Sequence, residues 1–226
     1  MFSKKAVLWD LDDTLYSRVE AARCTFPGMF RTLLYPERSD EFIGEAVAYM
    51  MTQVKRNSMI HEDAFNALLE RYPPDRPYDR AACLDYYYAH ISDFMVPFSD
   101  AMETIVKLRA MGVKTAIVTN ITPDRLDSQK RKVENLGIGG LFDAIVYSGE
   151  VGIHKPDRGI FDHAAALLGV ANEDCLFVGD DPDSDVAGAL GAGMEILWVD
   201  RWVYDGRYRD DPRVRRVGSV AEYFRL

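Results

Sequence analysis

Three acids, Asp10, Asp12 and Asp13, follow the apolar run AVLW near the start of the chain, in "VLWDLDDTLY". Residues i and i+2 of an extended chain point the same way, so Asp10 and Asp12 would crowd one another. Like charges in one cleft are unfavourable unless protonated or neutralised. A hard divalent cation neutralises them, and Mg²⁺ does so with one or two carboxylates while keeping places for water and a phosphate oxygen. Three further polar clusters fit that chemistry. Thr119 and Asn120 close "VTN", Lys155 lies in "GIHKPD", and Asp180, Asp181, Asp183 and Asp185 lie in "VGDDPDSD". A cation, an ammonium, a hydroxyl and a backbone N–H together suit a transferring phosphoryl group. With a metal bound, one carboxylate is free to attack phosphorus as a nucleophile.

Each cluster alone has an ordinary explanation. A D-x-D-x-[T/V] string turns up by chance in about one chain of this size in ten. Acids after a strand cap helices and make turns. Thr119-Asn120 alone reads as a turn, and Lys155 alone as a solvated side chain. The four clusters gain weight from their placement, because each falls at or just after the end of a predicted strand. Ligands of open α/β sheets bind beyond the carboxyl ends of the strands.

Five short apolar runs are the predicted strands: "KAVLW", "KTAIVTN", "FDAIVYS", "CLFVGD" and "EILWVD". From residue 99 onward helical segments separate them. Ser99 or Asp100 caps a helix with Ala101, Ile105 and Leu108 on one face. Thr122-Pro123 opens another that Gly137 ends. Phe161, Ala164 and Leu168 mark a third, and a short one runs from about Ser184 to Gly193. This alternation predicts a parallel sheet covered on both faces, an α/β Rossmann-like three-layer core. Residues 17–95 break the pattern. Ile43, Val47, Met50, Met51 and Val54 have helical spacing, as do Leu84, Tyr87, Tyr88, Ile91 and Met95, with a loop expected over Arg71–Arg80. The expected division is a core of residues 1–16 and 96–226 with a helical insertion at 17–95. "RWVYDGRYRDDPRVRR" reads as surface loop and "SVAEYFRL" as a closing helix.

The chain has 226 residues, is 48% hydrophobic and carries a formal charge of −9. That balance disfavours broad nucleic-acid binding but not a small phosphorylated ligand at a local cationic site. Cys24, Cys83 and Cys175 form no CxxC, which favours a reducing compartment. No apolar run is long enough for a membrane span or a signal-peptide core, so a cytoplasmic protein is expected. The sequence does not specify an oligomeric state.

"DLDDT", "VTN", "GIHKPD" and "VGDDPDSD", in this order, resemble the four motifs of the haloacid dehalogenase superfamily of phosphotransferases. The insertion after the first motif also resembles that family's helical cap. The likeness implies a Mg²⁺-dependent phosphatase acting on a small-molecule phosphomonoester, such as a nucleotide or sugar phosphate, through an aspartyl-phosphate. It implies that Asp10 is the nucleophile and Asp12 the acid and then the base. Asp10, the Asp12 carbonyl and Asp180 would hold Mg²⁺. Thr119, the Asn120 N–H and Lys155 would bind or offset the phosphoryl charge. Asp181 and Asp185 would supply or orient a metal ligand, and Thr14 would position Asp12 by a local hydrogen bond. Dehalogenating members lack the acid at the Asp12 position, so its presence favours ester hydrolysis. Arg158 stands where many members have proline, and Trp9 where many have phenylalanine.

His154 reads as exposed or loop-packed, and Asp13 as a turn or solvated residue. Arg18, or one ring of Tyr86–Tyr88, has a route to a substrate, although helix packing accounts for the tyrosines. A phosphomutase on the same scaffold stays open. A receiver-type phosphoacceptor fits less well, since its acceptor Asp lies on a later strand and it has no helical insertion.

Overall fold

The computed structural model describes residues 2–54, 59–200, 207–208 and 210–224. The chain forms two compact units, Met1–Ser17 with Val96–Leu226, and Arg18–Met95.

The first unit is built on six parallel strands: β1 (Ala6–Trp9), β2 (Lys114–Thr119), β3 (Ala144–Tyr147), β4 (Cys175–Gly179), β5 (Glu195–Val199) and β6 (Val214–Val217), in the order β3-β2-β1-β4-β5-β6. β1 is central, with Trp9 level with Ile117 on one side and Val178 on the other. All four of its residues are buried, as both faces of a covered parallel sheet require. Ala6 and Leu8 join Val118, Phe177 and Trp198 in one core, packed against Phe161 of α8 (Arg158–Leu168) and Ala189 of α9 (Ala187–Ala192). Trp9 alternates to the opposite face, where its ring lies 6.3 Å from Phe224. α5 (Ser99–Ala110) packs on β2, and a 3₁₀ turn, Pro123–Arg125, leads into α6 (Leu126–Leu136), which ends at Gly137.

Two terminal expectations are corrected. Val214–Arg216 was expected in a surface loop, but with Val217 it pairs as an edge strand with β5, from Ile196↔Val214 to Val199↔Val217. Its "VRRV" lacks an apolar alternation because the edge is partly exposed, and backbone pairing does not depend on side-chain charge. Of the rest of that segment, residues 201–206 and 209 lie outside the described residues. The expected closing helix is only a 3₁₀ turn, Val220–Glu222, whose Val220 N–H donates to Asp100 Oδ2 at 3.1 Å; residues 225–226 lie outside the described residues. Asp100 thus anchors the terminal segment, and α5 starts without a side-chain cap.

The second unit is helical: α1 (Arg18–Leu33), α2 (Asp40–Gln53), α3 (Glu62–Arg71), α4 (Arg80–His90) and a 3₁₀ turn, Ile91–Phe94. α1 packs against α2 and α4, and α2 against α3. Ile43, Val47 and Met50 of the predicted stripe are buried, while Met51 is half-buried and Val54 follows the helix end. On α4 the buried positions are Cys83 and Tyr87, continued by Ile91; Leu84 and Tyr88 flank them half-buried. Tyr86 lies against His90 with centroids 4.4 Å apart, and Tyr87 packs edge-on to Tyr88 at 5.5 Å. Among the described residues no helix is long and apolar enough to cross a membrane.

Candidate active site

The parallel ladder extends one residue past β1, where the Asp10 N–H donates to the Val178 carbonyl at 2.9 Å. Asp10 therefore leaves the sheet between the ends of β2 and β4. The chain then turns back on itself, with Leu15 N–H on the Leu11 carbonyl at 3.0 Å. Asp13 takes a left-handed conformation in this turn, with φ 61°, and is buried rather than solvated. Asp and Asn tolerate that region better than most residues.

Lys155 reaches the same point from the segment after β3. Its Nζ lies 2.5 Å from Asp10 Oδ1 and 2.7 Å from Asp185 Oδ1. Its backbone is clamped by the Asn120 side chain, which accepts from Lys155 N–H and donates to Lys155 C=O, both at 2.9 Å. Sequence reasoning gave Asn120 only a backbone role; its side chain fixes the lysine loop. His154, beside it, is exposed.

Asp180 follows β4, its carbonyl accepting from Trp198 Nε1 at 2.9 Å. The next residues form a π-helical turn, Pro182–Val186, in which Asp185 and Val186 N–H both reach the Asp181 carbonyl. This turn swings Asp185 back under the sheet edge, where its Oδ2 also accepts from Asp181 N–H at 3.1 Å. Gly179 makes room for it, since a Cβ there would stand 2.4 Å from Asp185 Oδ2. Asp181 itself caps the turn through Asp183 N–H. Of the two candidates, Asp185 is the one brought to the cluster.

Asp10, Asp180 and Asp185 can each place a carboxylate oxygen within 4.8 Å of the others, and all three are buried. The Lys155 ammonium pairs with two of the three, Asp10 and Asp185. Burial raises the Asp10 pKa to about 7, with Asp185 and Asp12 adding to the rise and Lys155 opposing it. Burial likewise raises Asp185. Burial opposes the charge on Lys155, but Asp10 and Asp185 outweigh it and hold the ammonium above the usual lysine range. An all-oxygen, net-negative, buried cluster fits a hard cation such as Mg²⁺.

Asp12 looks elsewhere. Its Oδ1 accepts from Lys132 Nζ at 2.6 Å and from the Tyr16 hydroxyl, and its Oδ2 from Gln129 Nε2 at 2.8 Å. Gln129 Nε2 also donates to Thr119 Oγ1 at 2.7 Å. The expected bond from Thr14 is absent: its hydroxyl is buried with no hydrogen-bond partner among the described residues. The local turn directs the Tyr16 ring, not the Thr14 hydroxyl, to Asp12. Tyr16, Gln129 and Lys132 were not picked out from the sequence. For Gln129 and Lys132 the available signal was weak: polar residues in helical phase with Val133 and Leu136.

A family model described as haloacid dehalogenase-like hydrolase matches residues 4–193. The chain is 36% identical over 215 residues to the glyceraldehyde 3-phosphate phosphatase of Methanopyrus kandleri, covering 92% of this chain and 88% of the relative. It is 32% identical to the ribulose-1,5-bisphosphate 5-phosphatase of Halopiger xanaduensis, covering 86% and 84%. Among solved structures, YfnB from Bacillus subtilis shares the fold with a TM-score of 0.74 at 19% identity, over 97% of this chain and 96% of that one.

Proposed function

The chain belongs to the haloacid dehalogenase-like hydrolases and is a phosphatase of small phosphate esters, and from that premise we propose a Mg²⁺-dependent phosphomonoesterase with Asp10 as nucleophile. The observation that carries the reading is the buried cluster of Asp10, Asp180 and Asp185 against Lys155, with Asp12 beside it on a separate set of partners.

Asp10 attacks phosphorus as the bond to the leaving oxygen breaks, and the Asp12 carboxyl gives that oxygen its proton. Water then attacks the aspartyl-phosphate, Asp12 takes the water's proton, and Asp10 is released. Both residues end as they began. The Thr119 hydroxyl and the Asn120 N–H donate to phosphoryl oxygens, and Lys155 holds Asp10 in line while offsetting charge. Asp10, Asp180, Asp185 and the Asp12 carbonyl would hold Mg²⁺, which supplies the remaining positive charge for the phosphoryl oxygens.

Phosphorylated short sugars are the proposed substrates, since that is what the two long-range relatives are named for. A nucleotide loses its main support, because Tyr86 and Tyr87 are engaged with His90 and Tyr88. Triose and pentose phosphates, a nucleoside monophosphate and phosphoserine are to be compared with Mg²⁺ and with a chelator. Turnover of the sugar phosphates, abolished by chelation and lowered at least about 1,000-fold by Asp10→Asn, is expected. Silence across the panel with Mg²⁺ present, or a near-normal Asp10→Asn, refutes the reading.

A further inference from the structure

α6 turns a polar patch into the interior. Gln129 is 1% exposed and Lys132 5% exposed. Three positions apart on a helix, they share a face. That face continues into Val133 and Leu136, both buried. Apolar residues would extend the stripe without the cost of burying an amide and an ammonium. Instead the two side chains converge on Asp12 and Thr119.

We propose that Gln129 and Lys132 are positioning residues for the reaction, Lys132 holding the Asp12 carboxylate and Gln129 linking Asp12 to the phosphoryl-binding hydroxyl of Thr119. The role rests on the phosphatase reading above. The two hydrogens of Gln129 Nε2 go to Asp12 Oδ2 and Thr119 Oγ1. The reverse amide orientation would set a carbonyl oxygen against the Asp12 carboxylate, so the contacts fix the amide. Because Thr119 Oγ1 accepts from Gln129, its own hydrogen is left to donate to a phosphoryl oxygen. Lys132 and Tyr16 share Asp12 Oδ1, so both carboxylate oxygens are held and the side chain is fixed in one rotamer.

The test uses kcat/KM, which reports the steps through loss of the alcohol. Glyceraldehyde 3-phosphate needs its leaving oxygen protonated, whereas p-nitrophenyl phosphate scarcely does. Lys132→Met should lower kcat/KM by about 100-fold for the first and less than about 5-fold for the second, the same split as Asp12→Asn. Lys132→Arg should recover at least about tenfold of the loss by restoring the charge. Gln129→Met, which removes both donors, should also weaken inorganic phosphate binding about tenfold through Thr119, while Lys132→Met leaves that affinity within about twofold. Should Lys132→Met fail to fold, the Gln129→Met phosphate affinity and substrate split decide the matter. A wild-type chain that turns over neither substrate overturns the proposed function and this role with it. An active wild type whose variants lose both substrates alike, or lose neither, overturns this role alone.

Discussion

Asp10 and Asp12 are two residues apart and meet different surroundings. Asp10 faces Lys155 among other acids, while Asp12 faces an ammonium, an amide and a phenol. Environments that separate two carboxylates in this way suit the separate tasks proposed for them, attack for Asp10 and proton transfer for Asp12. Gly179 is the neighbour on which the first environment depends. In Gly179→Ala the new Cβ would meet Asp185 Oδ2 at 2.4 Å and its Cβ at 2.7 Å, so Asp185 must leave its place. Mg²⁺ affinity by calorimetry should fall about tenfold or more, with turnover falling alongside it. Unchanged affinity would remove Asp185 from the metal site. The motif acids could be read from type and spacing because their crowding is a property of adjacent positions. The choice between Asp181 and Asp185 could not, since a π-helical turn with no sequence signature decides which one swings inward. Nor could Lys132 and Gln129, because a buried polar residue on a helix is spelled like a solvated one. The pairing that explains them spans more than a hundred positions.

At the scale of elements, the site is held by contacts between loops that leave neighbouring strands. Asn120, after β2, grips the backbone of Lys155, and the Ser148 hydroxyl at the end of β3 both donates to and accepts from the backbone of Ile121. Behind them α8 and α9 pack closely. A Cβ on Gly188 would lie 2.4 Å from Phe161 Cε2 and 3.0 Å from Pro156 Cα, next to Lys155. Gly188→Ala should therefore destabilise the protein by about 1–3 kcal/mol through overpacking, read as a lower denaturation midpoint. In a double-mutant cycle Phe161→Leu should offset part of that loss. Additive losses would mean that the ring is not what Gly188 accommodates. The four inner strands β1, β2, β4 and β5 were legible because burial on both faces demands continuous apolar runs, and the edge strand β3 because its "AIVY" is apolar throughout. β6 was not, since an edge strand meets solvent and "VRRV" is indistinguishable from a loop by composition. On α4 the expected Tyr87 and Ile91 are buried, but Cys83 is buried where Leu84 was expected, because these positions and the flanking Tyr88 are all apolar or aromatic and leave periodicity little to choose between.

Across the whole molecule, both units bury weak acids in neutral form. In the helical unit burial pushes the Tyr35 and Tyr78 phenols up to about 12 and the Cys83 thiol to about 11. In the α/β unit burial does the same to Tyr147, about 12, and Cys175, about 11. Folded values above unfolded ones mean that the unfolded chain releases these protons first. Their contribution is complete below about pH 8 and is lost as pH rises toward 12, because there the unfolded state binds fewer protons than the folded one. Stability by urea denaturation should fall steadily from pH 9 to 11. The formal charge of −9 would add a general repulsion that grows over the same range. Tyr35→Phe separates the two causes. The Tyr35 hydroxyl donates to the Tyr72 carbonyl at 2.6 Å, so the variant should lose about 1 kcal/mol at pH 7. It should then show a shallower decline above pH 10, because its phenylalanine has no proton to release on unfolding. An identical slope in the two proteins would assign the alkaline loss to net charge and not to buried phenols.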